Sequence, residues 1–189
     1  PRGNDGNPGI EAAPVSSIDM ARKLVRQFAG KEAVTVHVAD GIYYLPDPLV
    51  FTPEDSGTED APVVFQADHE GGAVLSGGTQ LNLQWQPYRE GIFQAEWFHD
   101  AEKNILYYMP EPSLDLRNAT TEVVRLRQLV EFRGTEATPV KYVKLKGFSV
   151  RHAARTFMET KEPLLRSDWA IYRGGAFFLT GTENIQVLN

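Results

Sequence analysis

The residues best suited to chemistry lie in one irregular segment, residues 151–173. It separates two runs of β-rich sequence, and long loops on a rigid scaffold are where binding residues concentrate. An aromatic ring can stack on the apolar face of a sugar, while charged side chains hydrogen-bond its hydroxyls. The segment therefore predicts a carbohydrate-contact site. The candidate residues are Arg151, His152, Arg155, Asp168, Trp169 and Arg173.

The same residues also have a purely structural interpretation. Trp169 would pack the loop onto the neighbouring strands, while the Arg and Asp side chains pair at the surface. The sequence leaves both interpretations open, and it assigns no catalytic residue.

The densest acidic cluster comprises Glu54, Asp55, Glu59 and Asp60. An acidic loop can bind calcium, but Pro, Ser and Gly interrupt this cluster and no EF-hand spacing is present. The sequence therefore predicts a solvated turn, with no metal site and no cofactor.

Composition limits the classes of partner. The chain has 189 residues, 42% of them hydrophobic, so it can build a core. A formal net charge of -6 makes nucleic acid an unsuitable partner. No apolar run reaches the ~18 residues of a membrane span, and the absence of cysteine excludes disulfides.

One helix is expected, from about Ser17 to Ala29. Ile18, Ala21 and Val25 recur at helical spacing, and they form one apolar stripe. Ser16 with Asp19 resembles a capping box, and Gly30 suits a left-handed helix end.

The rest of the chain is predicted to form short strands. Alternation begins at Val34, and later runs such as 63–65, 73–75, 143–145 and 148–150 are rich in β-branched and aromatic residues. A strand, a Gly-Thr corner and a second strand occur at residues 132–145 and again at 179–187.

These features predict an all-β protein, a right-handed parallel β-helix (a solenoid) with one N-terminal capping α-helix. The repeat supports stacked coils, and the helix suits the exposed end that a solenoid must cover. An antiparallel β-sandwich is the alternative, because it also gives many short strands. The expected organisation is a single domain over 1–189, with the cap at 1–30 and coils at 31–189.

Several motifs, in this order, resemble the N-terminal region of carbohydrate-active β-helix proteins, closest to the hydrolases of glycoside hydrolase family 141. These motifs are residues 4–9, 21–23, 41–45, 51–58, 61–63, 75–78, 106–110, 147–152, 168–171 and 173–176. The resemblance covers nearly the whole chain. It differs near residues 95–97, where the relatives have a longer connection, so a gap in the sequence is expected there.

The resemblance implies a secreted or periplasmic glycoside hydrolase that cleaves a complex polysaccharide or oligosaccharide with paired carboxylates. Those carboxylates would lie beyond Asn189, so the chain is expected to be an N-terminal fragment. Two alternatives remain open: a non-catalytic structural or carbohydrate-binding module, and a polysaccharide lyase. The sugar, its linkage and the oligomeric state are not predicted.

Overall fold

The computed structural model describes residues 3–87, 97–156 and 174–189. The chain divides into two compact units. Unit 1 combines Pro1–Thr79 with Val124–Asn189, and unit 2 is Gln80–Val123.

The single α-helix of the described residues, α1, spans Ile18–Val25. Its N-cap is Ser17, whose hydroxyl accepts a hydrogen bond of 3.1 Å from the Met20 N–H, so the cap lies one residue after the predicted Ser16. Turns replace the predicted last helical residues, and Gly30 adopts the expected left-handed conformation at φ +71°. Ile18 and Val25 are buried in the core. No described helix is long and apolar enough to cross a lipid bilayer.

Short β-strands account for most of the remaining regular structure. In chain order they are β1 (Val34–Val38), β2 (Gly41–Tyr44), β3 (Leu49–Phe51), β4 (Val63–Ala67), β5 (Ala73–Ser76), β6 (Gly78–Leu81), β7 (Trp97–Asp100), β8 (Ile105–Tyr108), β9 (Thr121–Val124), β10 (Val130–Arg133), β11 (Val140–Lys141), β12 (Val143–Lys146), β13 (Phe148–Arg151), β14 (Phe177–Thr180), β15 (Thr182–Glu183) and β16 (Gln186–Leu188).

Unit 1 contains four parallel sheets. Their strand orders are β1-β4-β12-β16, β3-β10-β14, β2-β5-β13 and β11-β15. The pairing is in register, so Phe65 of β4 lies beside Val36 of β1 and Leu145 of β12. Apolar side chains that face the interior therefore contact apolar side chains of the neighbouring strands.

Three phenylalanine rings form the centre of the core. The ring of Phe51 stacks on that of Phe132, with centroids 4.8 Å apart, and meets the edge of the Phe65 ring at 5.4 Å. All three side chains are fully buried. These rings hold β3, β4 and β10 against one another.

The predicted right-handed parallel β-helix is wrong. The described strands form six separate sheets of two to four strands, both parallel and antiparallel, and they do not make a solenoid. The antiparallel β-sandwich is also wrong, because the sheets of unit 1 are parallel. The observed fold is mostly β, with one helix and several small sheets.

The internal repeat explains why the sequence suggested a solenoid. Its two copies do lie side by side, with Phe132 paired to Leu179 and Lys144 paired to Gln186. Two copies determine a local pairing, but they are fewer than the three or more that a stable repeat array needs.

Unit 2 contains an antiparallel hairpin. Strands β7 and β8 pair so that Trp97 lies opposite Tyr108, and β6 pairs with β9 in a further two-stranded sheet. The predicted gap lies near residues 95–97. Of these, residues 95 and 96 lie outside the described residues, so the gap stays a prediction.

The acidic cluster at 54–60 is not simply a solvated turn. Asp55 ends a 3-10 turn, Pro53–Asp55, and is only 2% exposed. Its carboxylate accepts hydrogen bonds from Arg22 Nη1 at 2.9 and 3.0 Å, from Arg26 Nε at 2.6 Å and from the Thr52 N–H at 2.7 Å. The expectation of a solvated turn fails for Asp55 because two arginines of the α1 region neutralise this carboxylate and hold the turn against the helix.

Asp5 joins the N-terminal loop to the start of α1. Its carboxylate accepts four hydrogen bonds, of 2.7, 2.8, 2.8 and 2.9 Å, from the N–H and O–H groups of Ser16 and Ser17. Burial on its own raises the pKa of Asp5, but these hydrogen bonds outweigh that effect and lower the pKa to about 2.

The lowered pKa of Asp5 predicts a loss of stability in acid. Because the native pKa lies below the unfolded value, the contribution is complete above about pH 4 and is lost as the pH falls towards about 2. Asp5→Asn should remove about 1 kcal/mol of this pH-dependent stability, allowing for solvent screening. Urea denaturation at about pH 5 and about pH 2.5 measures it. Glu11→Gln, in the same loop, is the control, and an unchanged acid response in the Asp5 variant would contradict the prediction.

Candidate functional site

A row of three polar side chains lies across the ends of three neighbouring strands. Tyr44 ends β2, Ser76 ends β5 and Arg151 ends β13. The parallel register places Ser76 between the other two. Residues that share a register position in parallel strands project to the same face of the sheet.

The opposite face of this sheet belongs to the core. The residues that precede the polar row, Tyr43, Leu75 and Val150, are in register with one another and pack in or against the hydrophobic cluster. Because side chains alternate along a strand, this packing directs the polar row away from the core.

His152 follows β13 and bends the chain back towards the polar row. Its backbone is left-handed, with φ +59°, which is uncommon for a residue with a side chain. Its Nδ1 lies 3.1 Å from the Ser76 hydroxyl, which also accepts a hydrogen bond of 3.3 Å from the Gly78 N–H.

Two glycines make room for this arrangement. A Cβ on Gly77 would lie 2.6 Å from the His152 carbonyl oxygen, and one on Gly78 would lie 3.1 Å from His152 Nδ1. The Gly77 N–H donates to the Arg151 carbonyl at 3.1 Å, which holds the two segments together. Glycine at these positions permits the close approach of the two backbones.

The Ser76–His152 contact does not form a nucleophilic pair. Ser76 is 0% exposed, so its hydroxyl cannot reach a substrate in this arrangement. We interpret Ser76 as a positioning residue that fixes the orientation of the imidazole.

The structure brings together only part of the predicted site. Arg151 and His152 lie at the polar row, and Arg155 is exposed three residues further along the chain. The predicted residues Asp168, Trp169 and Arg173 lie outside the described residues, and their roles stay predictions. Tyr44 and Ser76 were missed, although each is the fourth and last residue of its strand, as Arg151 is of β13.

A second buried carboxylate lies on β10. Glu131 is 5% exposed and forms an ion pair with Arg133 Nε. The hydrogen bond that Arg133 donates to this carboxylate raises the pKa of Arg133, whose guanidinium lies 5.0 Å from the centre of the Phe178 ring. The Glu131 carboxylate is therefore engaged by an arginine of its own strand.

The described residues contain no group of three His, Cys, Asp or Glu side chains placed to hold a metal ion. The polar row and His152 offer hydroxyl, guanidinium and imidazole groups that form hydrogen bonds. Such groups can bind and orient a hydroxyl-rich ligand.

No protein-family model and no curated protein matches the chain. A solved structure described as a glycoside hydrolase is similar to it, with a TM-score of 0.71 and 16% sequence identity over 82% of this chain. The chain spans 50% of the length of that structure. The similarity shows a glycoside hydrolase-like fold.

Proposed function

We propose that this chain is part of a glycoside hydrolase that acts on a complex polysaccharide or oligosaccharide, and that it is related to glycoside hydrolase family 141. The fold similarity supports the class of protein, although a fold by itself does not determine activity. The observation that carries the proposal is the convergence of Arg151 and His152 with Tyr44 and Ser76 at the end of one sheet.

In this proposal Arg151, at the end of the polar row, and the loop after it bind the saccharide, while the buried Ser76 only positions His152. Arg151, His152, Arg155 and Arg173 donate hydrogen bonds to sugar hydroxyls. Asp168 accepts hydrogen bonds from these hydroxyls, and Trp169 stacks on a sugar ring. His152 is well suited to this role because Ser76 fixes its ring through Nδ1.

Hydrolysis needs two carboxyl groups, about 5 to 5.5 Å apart for retention or about 6.5 to 9.5 Å apart for inversion. We place both outside the described residues, in the continuation beyond Asn189 that the family resemblance implies. The proposed reaction uses no cofactor. Because the substrate is a polysaccharide, we also propose that the protein acts in a secreted or periplasmic location.

The proposal is tested by incubating the full natural chain with a panel of plant and algal polysaccharides. Release of reducing ends without an unsaturated product supports hydrolysis. An unsaturated product would instead identify a lyase, and binding without cleavage would identify a non-catalytic carbohydrate-binding module.

Replacing His152 tests the contact site. Asn tolerates a left-handed backbone, so His152→Asn removes the imidazole with little strain. We expect KM to rise about tenfold, because the variant loses about one charged or well-oriented hydrogen bond to the substrate. His37→Asn, on an exposed histidine of β1, is the matched control and should leave KM unchanged. Equal KM values for the His152 variant and the natural protein would remove His152 from the site.

A further inference from the structure

Unit 2 contains a cavity of about 380 Å³ whose lining residues do not include those of the polar row. Its lining includes Trp85, the amide side chains of Gln80 and Asn82, Arg117 and Thr121. The volume lies within the ~300–1,000 Å³ of small-molecule sites. One large aromatic ring beside several hydrogen-bonding groups is the combination that a sugar ring requires.

Aromatic side chains continue from this cavity along one face of unit 2. The Trp85 ring centroid lies 5.9 Å from that of Tyr108, and Tyr108 lies directly opposite Trp97 in the β7–β8 hairpin. Directly opposed residues of an antiparallel pair project to the same face. Trp97 is 63% exposed, so this face presents its aromatic surface to solvent.

The charge of the cavity favours an uncharged ligand. Arg117 donates two hydrogen bonds to Asp115, from Nε to Oδ1 at 2.9 Å and from Nη2 to Oδ2 at 3.1 Å. This pairing lowers the pKa of Asp115, so the two charges offset each other at neutral pH. A phosphate or a sugar acid would have to compete with Asp115 for the guanidinium.

We propose that the cavity binds a neutral saccharide, with Trp85 stacking on one sugar ring and Tyr108 and Trp97 extending the contact along the chain of sugars. Gln80, Asn82 and Thr121 hydrogen-bond the hydroxyls. The choice of a carbohydrate ligand rests on the proposed function, but the cavity binds without any need for catalysis.

The test is calorimetric titration of the full natural chain with neutral oligosaccharides, xylohexaose and cellohexaose among them, and with hexagalacturonate as the acidic comparison. We expect a neutral member to bind best. Trp85→Ala should weaken its binding about tenfold or more, whereas Trp85→Phe, which keeps a ring, should retain most of it.

Adjacent residues of β7 provide a matched pair of variants. Trp97→Ala should weaken binding of the hexasaccharide but not of a disaccharide, because Trp97 lies at the far end of the aromatic face. Phe98→Ala removes an exposed ring from the opposite face of the hairpin and should change neither. Circular dichroism identifies any variant that fails to fold, and Trp85→Phe then carries the comparison.

Hydrolysis measured in parallel separates this inference from the proposed function. Cleavage without any Trp85-dependent binding of a neutral saccharide overturns the cavity assignment and leaves the hydrolase proposal intact. Trp85-dependent binding without cleavage supports the cavity and removes the hydrolase proposal. Preferential binding of hexagalacturonate overturns the inference of a neutral ligand.

Discussion

Asp55→Ala is expected to lower the free energy of unfolding by about 3 kcal/mol, because the buried Arg22 guanidinium loses its buried partner and keeps only the half-exposed Asp19 carboxylate. Arg22 and Arg26 both donate to this carboxylate, and both Arg22 and Asp55 are buried. The variant would also remove the hydrogen bond that closes the 3-10 turn at Thr52. Guanidinium denaturation gives the change, provided that the slope is the same for both proteins.

The neighbouring carboxylate provides the control. Glu54 also pairs with Arg26, but it is 69% exposed, so Glu54→Gln should cost less than about 1 kcal/mol. A double-mutant cycle with Arg22→Met and Asp55→Leu separates the coupling of the pair from the cost of leaving one charge buried. If the Asp55 and Glu54 variants lose similar amounts of unfolding free energy, burial does not determine how much this ion pair stabilises the fold.

Phe51→Ala is expected to cost about 3–5 kcal/mol, through lost burial and the cavity that the ring leaves. Phe51 contacts two other buried rings, so the variant removes both the stacked and the edge contact. Phe51→Leu, which fills most of the volume, should cost about 1–2 kcal/mol. The denaturation midpoints of the natural protein, Phe51→Leu and Phe51→Ala should fall in that order.

Phe28→Ala is the matched control, since this ring is 38% exposed. It should cost less than about 1.5 kcal/mol. A loss at Phe28 as large as that at Phe51 would contradict the placement of the phenylalanine cluster at the centre of unit 1.

The sequence predicts local elements well because local periodicity encodes them. Alternation located the strands at 63–65, 73–75, 143–145 and 148–150, each of which lies within an observed strand, and the apolar stripe located α1. The N-cap was displaced by one residue because Ser16 and Ser17 are both suitable, and it is the Ser17 hydroxyl that accepts the hydrogen bond from the Met20 N–H.

Long-range pairing could not be predicted in the same way. The Arg22–Asp55 contact joins residues 33 positions apart, so the acidic cluster was interpreted as a solvated turn. The solenoid was inferred from two repeat copies, which pair locally while unit 2 leaves the parallel pattern for an antiparallel hairpin.

The candidate site was predicted only in part, because it too depends on contacts between residues that are far apart in the sequence. Arg151 and His152 stood out because basic residues follow a strand, whereas Ser76 is an ordinary strand residue until the register places it beside Arg151. Only the fold shows that Ser76 and His152, 76 positions apart, meet.

The insertion of unit 2 between paired strands has a consequence for the order of folding. Strands β3 and β4 pair with β10 and β12, which are synthesised only after Gln80–Val123 has emerged. Until then these early strands expose unpaired edges, a condition that favours aggregation and slow, non-local folding. Closing a long loop costs only about 0.6 kcal/mol for each doubling of its length. The insertion therefore delays the assembly of unit 1 during synthesis, while it costs the finished fold little free energy.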